Sequence, residues 1–310
     1  QDIKKYHESE ISFDTVFIDE AQHIKNHKTK TASAIKNIDS DFKIALTWTP
    51  LENWVHEIWS IFDFAMWGFL WNYSDFKKAF ENPIKKDNSK EHLNYLASKI
   101  KPFLLRREKT EILKELPAKI EQNSFFKLSD FQEKMYKEVL ENLKKNVFEK
   151  VEKNWFNKSR IEILAALTKL RQICNHPWQI DEKFLEEESW KVEMFLELLK
   201  DAIEWNHKIL VFSSFVKTLN ILEKKLIEEK IWYSKITGQT KNRWAEVENF
   251  ENNPNKKVFL ISLKAWWTWL NLTAADTVIL FDPWWNPMVE MQAMDRAHRM
   301  WQKNTVNVYS

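Results

Sequence analysis

From residue 192 to residue 309 the chain alternates helical stretches with short apolar runs, and that beat admits few folds. Helix patterns cover 192–204, 216–229, 243–251 and 288–300, and strand patterns cover 208–212, 233–236, 258–261, 277–281 and 305–309. In the first helix Val192, Phe195, Leu198, Leu199 and Ala202 recur on one face at the helical period. Strands separated by helices pair in parallel, with the helices packed on the faces of the sheet. This stretch therefore reads as a parallel α/β domain.

The N-terminal part carries a shorter version of the same order. Thr15–Ile18 is a β-branched and aromatic run that reads as a buried strand and ends in Asp19-Glu20. Phe42–Leu46 reads the same way and ends at Thr47, with a helix expected over 29–38 between them. From residue 51 to about residue 101 aromatics recur at helical and irregular spacing, which reads as packed helices. Residues 129–174 are helical again, with Ile163, Leu164, Leu167, Leu170 and Ile173 on one stripe, and His176-Pro177 stops them. The fold class is therefore α/β, with two parallel-sheet lobes, the first one truncated, and inserted helical segments. The expected boundaries are 1–54 for the first lobe, 55–180 for the helical insertions and the Pro102–Arg107 return to lobe one, and 190–310 for the second lobe.

Charge is nearly balanced, with 47 basic against 45 acidic residues, which excludes a bulk polybasic binder but allows a local basic groove. Cys174 is the one cysteine, so no internal disulfide forms. No signal peptide is visible, and no apolar run approaches the ~18 residues of a membrane span. The expectation is an intracellular protein without a membrane, and the chain, opening at Gln1, looks like a fragment.

Three groups of residues carry chemistry. Asp19 and Glu20 end an expected strand of an open α/β sheet, where ligands bind. Two adjacent carboxylates divide the work: one holds Mg²⁺ through its waters and the other polarises an attacking water. By itself the block is equally well an acidic turn. Gln292, Arg296 and Arg299 share one face if 288–300 is helical, and two of only 7 Arg in the chain stand there. Guanidinium forks suit phosphate oxygens; standing alone, the group reads more readily as a solvated face. Ser213 and Ser214 end the strand at 208–212 and either donate to a nucleic-acid phosphate or cap the helix that follows.

Order and spacing add to these groups. Asp19-Glu20-Ala21-Gln22 is followed by Ala45 to Asn53, Pro102 to Arg107, Leu170 to Pro177, Leu210 to Phe215, Leu263 to Pro287 and finally Gln292 to Arg299. The series resembles the Swi/Snf family of superfamily 2 helicase-like ATPases over nearly the whole chain. The resemblance implies two RecA-like lobes, ATP bound between them with Mg²⁺, and tracking along double-stranded DNA without strand separation. It implies that Asp19 and Glu20 serve Mg²⁺ and the hydrolytic water, and that Gln22, Thr47 and Thr49 couple the nucleotide to the DNA face. Arg296 and Arg299 then reach the γ-phosphate, positioned by Gln292, while Ser213, Ser214, Thr268 and Asn271 lie on or near the DNA strand. The expected parent is a monomeric, nucleoid-associated cytoplasmic motor that displaces a DNA-bound protein. The 18 residues before Asp19 hold no Gly-rich phosphate loop, so this segment alone is expected to be inactive. A non-catalytic DNA-binding scaffold and a strand-separating helicase are the competing functions.

Two residue counts depart from any ordinary domain. Gly occurs 2 times and Trp 17 times, whereas average Gly usage of ~7% would give roughly 22. The family pattern has Gly where this chain has Trp48, Trp71, Trp178, Trp190, Trp266, Trp267, Trp269 and Trp301, yet shares Trp59, Trp284 and Trp285. A gene in which UGA encodes glycine, read with UGA as tryptophan, produces this substitution site by site. Read literally, the tryptophans would form a base-stacking platform.

Overall fold

A computed structural model of the chain describes residues 13–47, 55–107, 109–151, 156–263 and 272–310. Thr49, Thr268 and Asn271, and with them Trp48, Trp266, Trp267 and Trp269, lie outside the described residues. The chain divides into two compact units, Gln1–Glu108 and Lys109–Ser310.

In the first unit β1 (Phe13–Ile18) and β2 (Ser40–Ala45) pair in parallel, with Ile18 opposite Ala45. The crossover between them contains a short 3-10 turn, Ala21–Ile24, and helix α1 (Lys30–Lys36). Thr29 caps α1 by accepting from the Ala32 amide at 3.2 Å, which satisfies one of the free donors of the first turn. Helix α2 (Val55–Ala65) lays Phe64 against Ile24 and Ala32, and Val16, Ile18, Ile35 and Ala45 close this small core. The expectation of buried strands is not met on either face: Val16, Ile18 and Ala45 on the packed face are only partly buried. Phe17 and Phe42 on the opposite face are 63% and 68% exposed, because strand side chains alternate and the described elements cover one side. Farther along, α2 joins the helical segments of residues 73–86 and helix α3 (Lys90–Ile100) around Trp59, Phe62, Phe76, Phe80 and Leu96.

The second unit is built on a six-stranded, all-parallel sheet. Its strands are β3 (Lys119–Gln122), β4 (Ile209–Ser213), β5 (Tyr233–Ile236), β6 (Val258–Ser262), β7 (Thr277–Leu280) and β8 (Val306–Tyr309), in the order β3-β8-β7-β4-β6-β5. Strands β4, β6 and β7 are buried along their whole length. Two helices, α4 (Asp130–Val151) and α5 (Phe156–Asn175), precede the main part of the sheet. On one face α6 (Trp190–Glu204) and α7 (Val216–Glu228) pack Phe195, Leu199, Leu219 and Leu222 on Val211 and Leu260. On the other face α8 (Arg243–Asn252) and α9 (Pro287–Met294) pack Phe250 and Met294 with Phe212, Phe259 and Val278. Helices on both faces allow continuous apolar strands, since neither face meets water.

Two features depart from the expected elements. Strand β3 lies between the two helical segments expected at 51–101 and 129–174, where no strand is expected, and it pairs with β8. Its sequence KIEQ is short and charged, as suits an edge strand, and all four residues are exposed. The expected helix 288–300 also stops early, at Met294. Beyond it the amides of Arg296 and Ala297 donate three residues back, to Ala293 at 3.3 Å and Met294 at 3.2 Å, so the chain tightens from regular helix into turns.

Trp71 and Trp301 have left-handed backbone, with φ of 59° and 76°, close to the 78° of Gly68. Both indoles are exposed, Trp301 by 80%. Left-handed backbone strains a bulky side chain and is free of strain for glycine. Among the described residues no helix is long and apolar enough to cross a membrane.

Candidate functional site

The first cluster forms where β1 and β2 end side by side. Beyond the ladder the Leu46 amide donates to the Ile18 carbonyl at 2.8 Å, and the Ala21 amide donates to the Leu46 carbonyl at 2.8 Å. This crossing places Asp19 and Glu20 beside Thr47. Asp19 is exposed and turns its carboxylate back to accept from the Glu20 amide at 2.7 Å. Glu20 sits in left-handed backbone, at φ 52°, where the chain leaves β1 for the 3-10 turn. Its carboxylate accepts from Gln22 Nε2, and Gln22 Oε1 accepts from Thr47 Oγ1 at 2.9 Å. Four of the expected residues, Asp19, Glu20, Gln22 and Thr47, are thus brought together. Their donor set fits a cation that keeps most of its waters, because two neighbouring carboxylates are offered and no third acidic or imidazole ligand joins them among the described residues.

In the second unit Gln292 lies on α9, while Arg296 and Arg299 follow it in turns. The expected single helical face therefore does not form, because the helix ends two residues before Arg296. Asn286 and Pro287 start α9, the Asn286 side chain accepting from the Met288 amide at 3.1 Å. The three side chains are partly buried.

Ser213 and Ser214 stand at the end of β4, as expected, but their hydroxyls point inward. They are 0% and 4% exposed, and both donate to the carboxylate of Asp282, which follows β7. The Ser214 amide adds a bond to the same carboxylate at 3.1 Å. Neither serine caps α7: its N-cap is Phe215, whose amide donates to Ser213 Oγ at 3.1 Å. Direct donation to a phosphate is thus not what these hydroxyls do in this arrangement. Buried beside the sheet, they satisfy a carboxylate that has no other access to solvent.

Asp282 gathers two further groups from α5. Arg171 approaches it at 3.3 Å and also donates to Ser214 Oγ at 3.2 Å and to the Pro283 carbonyl. The Arg171 guanidinium lies 5.2 Å from the ring centres of both Phe215 and Trp285. Asn175 Nδ2 reaches Asp282 at 3.4 Å, and Asn175 Oδ1 accepts from Lys191 at 3.3 Å. Burial lowers the Lys191 amine to about 8, with the Asp282 charge opposing that shift. Sequence reasoning assigned no role to Asp282 or Arg171. The available signal was an aspartate directly after an apolar strand run, and one of a few arginines beside the apolar stripe of a helix.

One α/β unit thus carries an acidic strand end and, by itself, the other carries an arginine-bearing turn. The model of the SNF2-related domain matches residues 2–179, and that of the helicase conserved C-terminal domain matches residues 190–300. The chain belongs to the SNF2-related family. It is 39% identical to an "uncharacterized ATP-dependent helicase" of Mycoplasma pneumoniae, over 96% of this chain and 28% of that protein. It is 31% identical to the ISWI chromatin-remodeling complex ATPase ISW1 of Saccharomyces cerevisiae, over 96% of this chain and 27% of that one. The chain thus spans less than a third of the length of these relatives. Among solved structures, the Sulfolobus solfataricus SWI2/SNF2 ATPase core in complex with dsDNA aligns with a TM-score of 0.54 and 36% identity, over 95% of this chain and 62% of that one. The expected parallel-sheet lobes of the RecA-like type are therefore present.

Proposed function

We propose that this chain is the motor portion of an ATP-dependent double-stranded DNA translocase that remodels protein–DNA complexes. The observation that carries the reading is the relay Glu20–Gln22–Thr47. It joins the carboxylate beside a reacting water to the loop that follows β2, so a change at the nucleotide is felt on a second strand end. The Sulfolobus core in complex with dsDNA supports the choice of duplex DNA as partner.

In this reading Asp19 would hold Mg²⁺ through water, and Glu20 would take up the proton of the attacking water. Bound Mg²⁺ would neutralise charge developing on the phosphate oxygens. Gln22 holds the Glu20 carboxylate in place, and Thr47 fixes Gln22 by donating to its amide oxygen; Thr49 extends the coupling. Arg296 and Arg299 stabilise the γ-phosphate, with Gln292 behind them. Thr268 and Asn271 are assigned to contact with the DNA strand by their place in the family's motifs, while Ser213 and Ser214 contribute by holding the end of β4 to Asp282.

The test uses the full-length protein. Glu20→Gln is expected to lower DNA-stimulated ATP hydrolysis by about 10²–10⁴-fold while leaving DNA binding intact. Displacement of a triplex-forming strand without separation of the duplex marks translocation. Duplex separation would instead select a strand-separating helicase, and DNA binding without any hydrolysis would select a scaffold.

A further inference from the structure

Lys109 is the residue through which the chain enters the second unit, and it is tied at once to the arginine-bearing turn. Its ammonium donates to Asp295 Oδ1 at 2.8 Å and to the carbonyl of His298. Those two acceptors immediately precede Arg296 and Arg299. The pair is largely withdrawn from water, with 21% of the Lys109 side chain and 22% of the Asp295 side chain exposed, so salt screens it less than a surface pair.

A second tie comes from the same entering segment. His298 Nε2 pairs with the Pro117 carbonyl at 2.8 Å, just ahead of β3. From the opposite side Gln302 Nε2 donates to the carbonyls of Ala275 at 2.8 Å and Ala297 at 3.0 Å. Residues 295–301 form turns rather than regular helix, so their carbonyls lack a full set of helical partners. The ammonium of Lys109 supplies one of the missing donors.

We propose that Lys109 is the positioning residue of the arginine turn. It holds Asp295–Arg299 in the irregular form that presents Arg296 and Arg299, and it sits where the chain arrives from the first unit. Displacement of that incoming segment is therefore transmitted to the arginine turn through the Lys109 ammonium, alongside the His298–Pro117 bond. The consequence for catalysis rests on the reading of Arg296 and Arg299 as γ-phosphate contacts; the tie itself does not.

The experiment compares full-length wild type with Lys109→Met, Lys109→Arg and Asp295→Asn. Amide hydrogen exchange without nucleotide reads the turn, and steady-state ATP hydrolysis on duplex DNA reads the arginines. In Lys109→Met, exchange over residues 296–302 is expected to rise about tenfold while β4 and β6 stay protected. Turnover is expected to fall about tenfold with KM for ATP within about twofold, the pattern of a contact made mainly in the transition state. Lys109→Arg should recover part of the turnover, and Asp295→Asn in the Lys109→Met background should add little. If Lys109→Met fails to fold, Asp295→Asn is read in its place, with the same expected exchange. Unchanged exchange in 296–302, or unchanged turnover in a protein that hydrolyses ATP, overturns the proposal. Faster exchange in a protein whose wild type hydrolyses no ATP keeps the tie and overturns the motor reading.

Discussion

Thr47 Oγ1 donates to Gln22 Oε1 across 2.9 Å, joining residues 25 positions apart into a single line with the Glu20 carboxylate. Thr47→Val keeps the shape and removes the donor. If the bond couples nucleotide to DNA as proposed, DNA-stimulated ATP turnover of the full-length protein is expected to drop about tenfold, the pattern of a contact made mainly in the transition state. The stability cost should stay near 1 kcal/mol, the net value of one ordinary hydrogen bond. Turnover with and without DNA, together with a denaturation curve, checks both parts.

Asp282 is the hub of a buried knot, and its removal leaves Arg171 without its charge partner. Asp282→Ala is expected to destabilise the protein by about 3–5 kcal/mol. Adding Arg171→Met should recover part of that loss, because the stranded charge goes with it. A double-mutant cycle by chemical denaturation gives the coupling directly; strictly additive losses would contradict it.

His176 titrates in the acid range for a structural reason. Its Nδ1 accepts from the Trp178 amide at 3.1 Å, which requires an unprotonated nitrogen, and burial lowers its pKa to about 4. The unfolded chain takes up this proton near pH 6.5 and the folded chain only near 4. Stability is therefore full above the unfolded value and is lost as pH falls through that window, by about 3 kcal/mol in all. His176→Asn can keep the turn cap without titrating, so its unfolding free energy should be flatter between pH 6.5 and 4.

Trp71 and Trp301 occupy backbone that glycine adopts freely. The gene is expected to carry UGA at these two codons and UGG at Trp59 and Trp284. Mass spectrometry of the protein isolated from its own cells should then show peptides with glycine at positions 71 and 301. Tryptophan in those peptides would sink the idea. If glycine is found, restoring it in recombinant protein should raise stability by about 1 kcal/mol or more per site, the order of strain stored in a disfavoured φ.

The strand–helix beat of the second unit was legible because each element carries its own periodicity: Phe195 and Leu199 mark a helix face, and β4 and β6 are apolar up to their final serines. The acidic strand end was legible for the same local reason. What escaped depends on partners far away in sequence. Arg171 and Asp282 lie 111 positions apart, so nothing near either one announces the bond. Ser213 and Ser214 end a strand, but which way their hydroxyls turn is decided by Asp282 on a neighbouring strand end. The helix expected to reach residue 300 stops at Met294, where the amides of Arg296 and Ala297 turn to acceptors three residues back, a choice that no local residue announces. Strand β3 is four residues of mixed charge, and only β8 makes it a strand.

The pairing of β3 with β8 has a bearing on biosynthesis. Lys119 aligns with Val306 and Gln122 with Tyr309, and the Ser124 amide continues the contact to the Ser310 carbonyl at 2.8 Å. A growing chain makes β3 early and must keep it unpaired while nearly all the rest of the unit is translated. Such long-range closure slows folding, because loop entropy is lost before the contact rewards it. During that interval the charged, exposed KIEQ edge discourages pairing with other chains. The strand that is weakest as a local signal is thus well suited to wait on the ribosome.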